Sequence, residues 1–139
     1  MATLSRRDDY TRLPVPVGEN TVSKGEDFER RAARLLVRAG LHIVTRNFHA
    51  RTGEVDIIAL DGQVLVFVEV RARSNRAFTS AAASVDKRKQ RKLYNTAQSF
   101  LKRYPKWRDR TCRFDVVAFE PRQSATDLTP NWIRGAFTG

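Results

Sequence analysis

The sequence predicts an α/β domain with the element order α-β-β-β-α-β, in which helices flank a mixed central sheet. Three observations support this fold class. Apolar residues recur at helical spacing in two long segments, and four short segments are rich in β-branched residues or alternate apolar and polar residues. The second helical segment also connects the third strand to the fourth. A connection of this length favours a parallel strand pair with a right-handed crossover.

Residues 1–21 are expected to form a disordered tail, and residues 22–139 are expected to form one domain. The first segment contains two prolines, mixed charges and no sustained hydrophobic period. The remainder is long enough to bury a single core. Cys112 is the only cysteine, which excludes a disulfide framework and predicts a small buried apolar side chain.

Two amphipathic helices are predicted. The first covers residues 24–39 and is followed by Gly40, a residue that commonly ends helices. The second runs from Ser84 to about Tyr104 and is stopped by Pro105. Their apolar sides are formed by Phe28, Ala32, Leu35, Leu36 and Ala39 in the first helix, and by Val85, Leu93, Ala97, Phe100, Leu101 and Tyr104 in the second.

Four strands are predicted. The first is "LHIVTRNF", residues 41–48, and the fourth is "RFDVVAF", residues 113–119. The second and third lie within "GEVDIIALDGQVLVFVEVRAR", residues 53–73, where Asp61-Gly62 predicts a two-residue hairpin turn. Near the end of the chain, "NWIRGAF" is expected to be a short docking segment that packs through Trp132, Ile133 and Phe137.

Carboxylates interrupt both apolar strands of the predicted hairpin. With a turn at Asp61-Gly62, Asp56 faces Phe67 and Glu54 faces Glu69, because the pairing is counted back from the turn. Side chains alternate along a strand, so these acids and Arg71 share one face of the sheet. The backbones at Asp56 and Glu69 are then diagonal neighbours about 7–8 Å apart, close enough for both carboxylates to reach one ion.

The same acids also have structural interpretations. Asp56 and Glu69 could form an ion pair or hydrogen-bond cluster with Arg71 or Arg73. Glu29 lies at the edge of the apolar side of the first helix, where it would either join the acidic group or pair with a nearby arginine. Glu54 follows a glycine at the strand start, which favours a supporting or turn role.

Positive charge is concentrated in and just after the second helix. The chain has a formal net charge of +11, and residues 84–113 contain eleven Lys or Arg and two Asp residues. Such a cluster is typical either of a solvated helix face or of a surface that binds nucleic acid phosphates. The candidate contacts are Lys87, Arg88, Lys89, Arg91 and Lys92. Lys89 and Gln90 are candidates for contacting a reacting phosphate or orienting water, and one helical step of about 100° separates their directions.

A membrane location is not expected. No segment has the roughly 18 apolar residues of a spanning helix, and the N-terminal segment lacks the apolar core of a secretory signal. These observations predict a cytoplasmic protein. His42 and His49 have no partner at metal-ligand spacing, so surface or packing roles are expected for both.

Several motifs together resemble the YraN family of small bacterial endonuclease-like proteins. They are "KGEDFERRAARLL", "GEVDIIA", "VFVEVRAR", the Lys-Gln pair in "DKRKQRKL", and "RFDVVAF", and the likeness covers residues 22–137. That family belongs to the PD-(D/E)XK nuclease superfamily and is similar to archaeal Holliday-junction resolvases. The resemblance implies a restriction-endonuclease-like core and metal-dependent cleavage of DNA, including branched or junction DNA, by a homodimer.

Catalytic residues follow from this resemblance one by one. Glu29 matches the acid of the first helix, Asp56 the main metal-binding aspartate and Glu69 the acid of the E-x-K element, while Gln90 is a weaker match in the second helix. Arg71 departs from the lysine that is common at its position. With a pKa above about 12, arginine cannot act as a general base, although it can stabilise developing negative charge.

The predicted cofactor is Mg²⁺ or Mn²⁺, bound by Asp56 and Glu69, because oxygen ligands suit these ions. The predicted function is a metal-dependent DNA endonuclease. The alternative is a noncatalytic nucleic-acid-binding module that retains a nuclease fold.

Overall fold

Two helices and five strands are present in the computed structural model, which describes residues 24–72, 81–120 and 129–138. In chain order they are α1 (Lys24–Arg38), β1 (His42–Ala50), β2 (Gly53–Asp61), β3 (Val64–Ala72), α2 (Lys87–Arg103), β4 (Cys112–Glu120) and β5 (Thr129–Phe137). The predicted mixed α/β class is confirmed. The tail predicted for residues 1–21 lies outside the described residues.

The five strands form one mixed sheet with the order β1-β2-β3-β4-β5. The β3–β4 pair is parallel, as the connecting helix predicted, and the other neighbouring pairs are antiparallel. The helices cover opposite faces. One apolar cluster joins Ala32 and Leu36 of α1 to Ile57 of β2, and the other joins Leu93 and Phe100 of α2 to the opposite side of the sheet.

The second helix begins later than predicted. Residues 82–84 form a 3₁₀ turn, and Asp86 caps α2 by accepting a hydrogen bond from the Lys89 backbone N–H at 2.9 Å. A capping aspartate requires a non-helical backbone at its own position, so the α-helix starts at Lys87. It ends at Arg103, before Pro105, where the sequence predicted a stop.

The predicted hairpin turn at Asp61-Gly62 is wrong by one residue. Asp61 pairs with Val64, so Gly62 and Gln63 form the loop. Gly62 has a φ of 63°, a conformation that suits glycine at the first loop position. Asp61 is also held in the ladder by an ion pair with Arg113, at 3.0 Å. The pairing is therefore displaced by two residues from the predicted one.

The C-terminal docking segment is an additional strand. In β5, Trp132 lies opposite Val117 and Ile133 lies opposite Val116. Trp132 packs in the α1-side cluster, whereas Ile133 and Phe137 pack in the α2-side cluster. Adjacent apolar side chains that face opposite layers are the pattern of a strand covered on both faces, which explains why the segment extends the sheet.

Cys112 is exposed, so its predicted burial is wrong. It is the first residue of β4, and its thiol donates a hydrogen bond to the Arg110 carbonyl oxygen at 3.5 Å. The buried part of β4 begins only at Phe114, two residues further along the strand.

A buried aspartate attaches β5 to the sheet. Asp115 is fully buried and accepts hydrogen bonds from the guanidinium of Arg113, at 2.9 and 3.1 Å. Its two oxygens also accept the indole N–H of Trp132, at 2.9 Å, and the backbone N–H of Gly135, at 3.0 Å. These donors compensate the loss of water that a buried carboxylate experiences.

Asp115→Ala should therefore lower the free energy of unfolding by about 1–3 kcal/mol, because the Trp132 indole N–H and the Gly135 N–H lose their acceptor and Arg113 keeps only its ion pair with Asp61. Urea denaturation measures the change. Asp109→Ala, at an exposed acid, should change stability by no more than about 0.5 kcal/mol. Equal effects of the two substitutions would contradict a stabilising role for the Asp115 network.

Candidate functional site

The sheet opens into a fork between β2 and β3. Their pairing runs from Asp61 with Val64 to Ile57 with Val68. Beyond that point β2 stays paired with β1 as far as Gly53, and β3 stays paired with β4 as far as Ala72. The first residues past the last β2–β3 pair are Asp56 and Glu69. The two acids predicted to form the site thus stand at the entrance of the fork, one on each strand.

Asp56 supplies a hydrogen bond that joins the two sides of the fork. Its side chain is largely buried, with 7% of the residue exposed, and its Oδ2 accepts the Val70 backbone N–H at 2.8 Å. A buried backbone donor requires a partner, and here a side chain provides it. Because a strand N–H points along the plane of the sheet, the carboxylate lies in the opening and not on one face.

A local irregularity in β2 produces this position. Val55 packs in the α2-side cluster and Ile57 in the α1-side cluster, although residues two apart on a regular strand share a face. On β1, Asn47 lies between the residues paired with Ile57 and Val55 and has a φ of 53°. Asparagine tolerates this left-handed conformation better than most residues. The alternation of both strands therefore changes at Asp56.

Three carboxylates converge on the α1 side of the fork. Oxygen atoms of Glu29, Glu54 and Asp56 lie within 4.8 Å of one another, the one such group of candidate metal ligands in the described parts of the chain. Glu29 comes from α1 and lies 3.9 Å from an Arg46 Nη atom. Glu54, for which a supporting or turn role was predicted, joins the cluster and lies 3.2 Å from His49 Nδ1.

Glu69 lies on the other strand of the fork, beside two cations. It is 5% exposed, and its Oε2 lies 3.1 Å from Arg71 Nε and 3.5 Å from Lys89 Nζ. The charge of Asp56 acts on Glu69 as well. The ion pair with Arg71, one of the alternatives left open by the sequence, is therefore present. Arg73 lies outside the described residues.

Burial and mutual repulsion disfavour ionisation of these acids. Loss of water and, next, the charge of Asp56 raise the pKa of Glu69 to about 8, although Lys89 and Arg71 act to lower it. Loss of water likewise raises the pKa of Glu29 to about 7, reinforced by Asp56. The pKa of Asp56 is raised by burial and lowered by its bond from Val70 N–H. Glu69 and Glu29 therefore retain protons near neutral pH.

This donor set fits a hard divalent cation. Carboxylate oxygens are the ligands that Mg²⁺ and Mn²⁺ prefer, and three of them are already close together. A bound cation would relieve their repulsion and release their protons, because metal ligands must be deprotonated. Glu29, Glu54 and Asp56 are accordingly the residues that could hold such an ion.

Lys89 and Gln90, the two α2 candidates for contacting a reacting phosphate or orienting water, have different surroundings. Lys89 points to Glu69, whereas the Gln90 side-chain amide donates to the Val85 carbonyl oxygen at 3.1 Å and so fixes the turn before the helix. Glu120, at the end of β4, anchors the same region, because its carboxylate accepts the backbone N–H groups of residues 81 and 82 at 2.6 and 3.0 Å. The predicted phosphate contacts Lys87, Arg88, Arg91 and Lys92 are exposed.

The fold and site define a mixed α/β protein with a buried acidic pocket beside a basic helix. The sequence profile of the uncharacterised protein family UPF0102 matches residues 28–119, which include Asp56, Glu69 and Lys89. The chain belongs to this family, also called YraN, so the predicted family membership is confirmed.

Curated relatives match over most of their length. A UPF0102 protein from Alcanivorax borkumensis is 48% identical over 123 residues, which are 88% of this chain and 98% of the relative. A UPF0102 protein from Stutzerimonas stutzeri is 47% identical over 115 residues, 83% of this chain and 94% of the relative. Among the described residues, none of the helices is both long and apolar enough to cross a membrane.

The raised pKa values predict that metal-free protein loses stability as pH rises. Folding raises the pKa of Glu69 from 4.5 to about 8 and the pKa of Glu29 from 4.5 to about 7. Between those pH limits the folded state therefore binds more protons than the unfolded state. The free energy of unfolding, measured with urea in the presence of a chelator, should therefore decrease from about pH 5 to pH 8.

Glu69→Gln should reduce that decrease, because the amide removes one of the titrating groups, and Asp109→Asn should leave it as in the wild type. A free energy of unfolding that rises over this pH range, or an unchanged profile in Glu69→Gln, would contradict the assignment of protonated acids to the fork.

Proposed function

We propose that this chain is a metal-dependent DNA endonuclease with a restriction-endonuclease-like core, of the PD-(D/E)XK type, that hydrolyses phosphodiester bonds in branched or junction DNA. One observation carries the proposal: Asp56 and Glu69 are buried at a fork in the sheet, with a third and fourth acid on one side and two cations on the other. The two helices and the parallel β3–β4 pair are consistent with such a core.

The acids on the α1 side are the proposed cation ligands. Asp56 is fixed by the Val70 N–H, and Glu29 and Glu54 bring two further carboxylates to it. A Mg²⁺ or Mn²⁺ ion held by these residues would supply Lewis-acid activation of the scissile phosphate. The predicted pair of Asp56 and Glu69 differs from this group, because Glu69 is engaged by cations.

Glu69 has the proposed role of orienting the side chains of Arg71 and Lys89. Its Oε2 contacts both Arg71 and Lys89, which come from β3 and α2. A phosphate that enters the fork would meet a guanidinium and an ammonium group, both able to stabilise negative charge as it develops. Arg71 cannot take a proton from water. Lys89 brings to the same acid the amine that the common E-x-K element supplies from the strand.

A polyanionic substrate explains why a strongly basic chain surrounds an acidic pocket. The net charge of +11 attracts nucleic acid over long distances, while the pocket confines negative charge to the point where a cation is needed. We further propose that the chain acts as a homodimer, since a junction-cleaving enzyme must cut two strands, and that it acts in the cytoplasm.

A noncatalytic DNA-binding module is the second candidate. It is favoured by one observation, that Arg71 and Lys89 are both already paired with Glu69, so a phosphate would have to share them with this acid. The measurements below separate the two functions, because a binding module needs neither the metal ligands nor Glu69.

Titration with Mn²⁺ tests the proposed ligands. Asp56→Asn and Glu54→Gln should each weaken binding by at least about tenfold, the lower end of the losses seen when the support of a metal site is removed. Asp109→Asn is the control for lost surface charge and should bind Mn²⁺ like the wild type. If Glu69→Gln weakens binding as much as Asp56→Asn while Glu54→Gln has no effect, the ion is bound by the Asp56–Glu69 pair instead.

Cleavage assays test the chemistry. With Mg²⁺ or Mn²⁺ the wild type should cut at least one flapped or four-way DNA, and Glu69→Gln should abolish cutting without a comparable loss of affinity. Arg71→Lys should retain activity because it keeps the positive charge. Arg71→Ala should lose about 2–4 kcal/mol of transition-state stabilisation, by analogy with the removal of one oxyanion donor.

Two results would reject the endonuclease. Metal-loaded protein that binds these DNAs but cuts none between neutral and alkaline pH would be a binding module. Cutting by Glu69→Gln at the wild-type rate would assign the activity to another site or to a contaminant.

A further inference from the structure

We infer that Arg88 and Lys92 of α2, together with Arg51 of the β1–β2 turn, form a row of phosphate contacts at the mouth of the fork, here called the 88–92–51 row. Its ligand is the sugar–phosphate backbone of a nucleic acid strand that leads into the acidic pocket. This inference rests on the proposed function. It also divides the basic residues of α2 into two groups that the sequence did not distinguish.

Two contacts identify the side of α2 that faces the fork. Lys89 reaches Glu69 at 3.5 Å, and the Thr96 hydroxyl lies 2.8 Å from that of Thr52 in the β1–β2 turn. Lys92 is three residues after Lys89 and four before Thr96, so it lies on the same side of the helix as both. Arg88 lies one turn before Lys92 and is its neighbour on that side.

Another contact identifies the opposite side. The Tyr94 ring packs 6.2 Å from the ring of Phe114, which belongs to β4. Lys87 precedes Tyr94 by two helical turns and Arg91 precedes it by one, so these two cations lie toward β4 or outward. All four cations are exposed, and helical spacing places Arg88 and Lys92 nearer than Lys87 and Arg91 to the side of α2 that faces the fork.

Arg51 extends the row across the mouth. It lies with Thr52 in the turn that connects β1 to β2, at the same end of β2 as Glu54 and Asp56. The turn is held against α2, since a Cβ on Gly53 would already lie 3.5 Å from Thr96 Oγ1. Arg51 is exposed and therefore available to a ligand that crosses from α2 to the pocket.

The placement of these cations opposes the stability of the isolated helix. The first turn of α2 contains Lys87, Arg88 and Lys89 and no acidic residue, although the helix dipole disfavours cations there. Within the described ranges 24–72, 81–120 and 129–138, none of Arg51, Arg88 and Lys92 forms an ion pair. Arg88 thus lies where the helix dipole disfavours a cation and has no ion pair among the described residues, which favours an anionic ligand outside the chain.

Two double variants with equal charge test the inference in the full chain. Arg88→Gln with Lys92→Gln removes the helical part of the 88–92–51 row, and Lys87→Gln with Arg91→Gln removes two charges from the other sides. Binding of a fluorescent four-way DNA is measured in chelator, so that no cleavage occurs. The first variant should lose at least about tenfold in affinity and lower the slope of log affinity against log salt by about 2.

The second variant should lose no more than about threefold, because it weakens only the long-range attraction. Arg51→Gln should lower the salt slope by about 1. Both double variants should unfold at the same or a higher urea concentration than the wild type, because each removes a cation from the first turn of α2. A loss of binding in the first variant then cannot be attributed to unfolding.

Equal losses in the two double variants, a larger loss in the second, or no DNA binding by the wild type would overturn the 88–92–51 row. If the variants separate as expected but the wild type cuts no DNA with metal, the row stands and the endonuclease proposal fails. If the wild type cuts DNA and the variants do not separate, the row fails and the endonuclease proposal stands.

Discussion

The hydrogen bond from Val70 N–H to Asp56 Oδ2 is the constraint on which the site depends. The β2–β3 ladder ends at Ile57, the neighbour of Asp56. Without an acceptor, the Val70 N–H would lower the stability of the fold by about 1–3 kcal/mol. The aspartate side chain satisfies it while the strands separate. One bond therefore allows the sheet to open, fixes a carboxylate inside the opening, and lets groups from both helical layers reach the same point.

Sequence patterns predicted that Asp56 and Glu69 lie close together for a reason that survives the error in the turn. The side-chain period of a strand is two residues, and the observed register differs from the expected one by two. A shift of two residues does not move side chains to the other face of the sheet, so Asp56 and Glu69 remain neighbours across the two strands. The change of phase at Asp56 was not predictable from the alternation of β2 alone. Its signal is on another strand, where Asn47 takes a left-handed conformation that the sequence "RNF" does not require.

Sequence patterns also did not determine which way individual side chains of a helix point. Lys89 and Gln90 are one residue apart, and only the packing of α2 on the sheet decides that the lysine meets Glu69 while the glutamine bonds to the Val85 carbonyl. The same holds for Glu54, which looked like a turn residue until Glu29 of α1 was brought beside it. Contacts between layers depend on angles that hydrophobic periodicity does not determine to better than one residue.

Two buried aspartates in the same sheet show how a structural acid differs from a functional one. Asp115 accepts four hydrogen bonds from three residues, one of them a cation, and joins β5 to the core. Asp56 accepts one backbone N–H, and it acts on Glu29 and Glu69, two carboxyl groups whose pKa values are raised. A fold that compensates one buried carboxylate fully leaves the other short of positive charge. That deficit is stable only if protons or a cation supply the charge, which is the physical reason to propose a cation site at the fork.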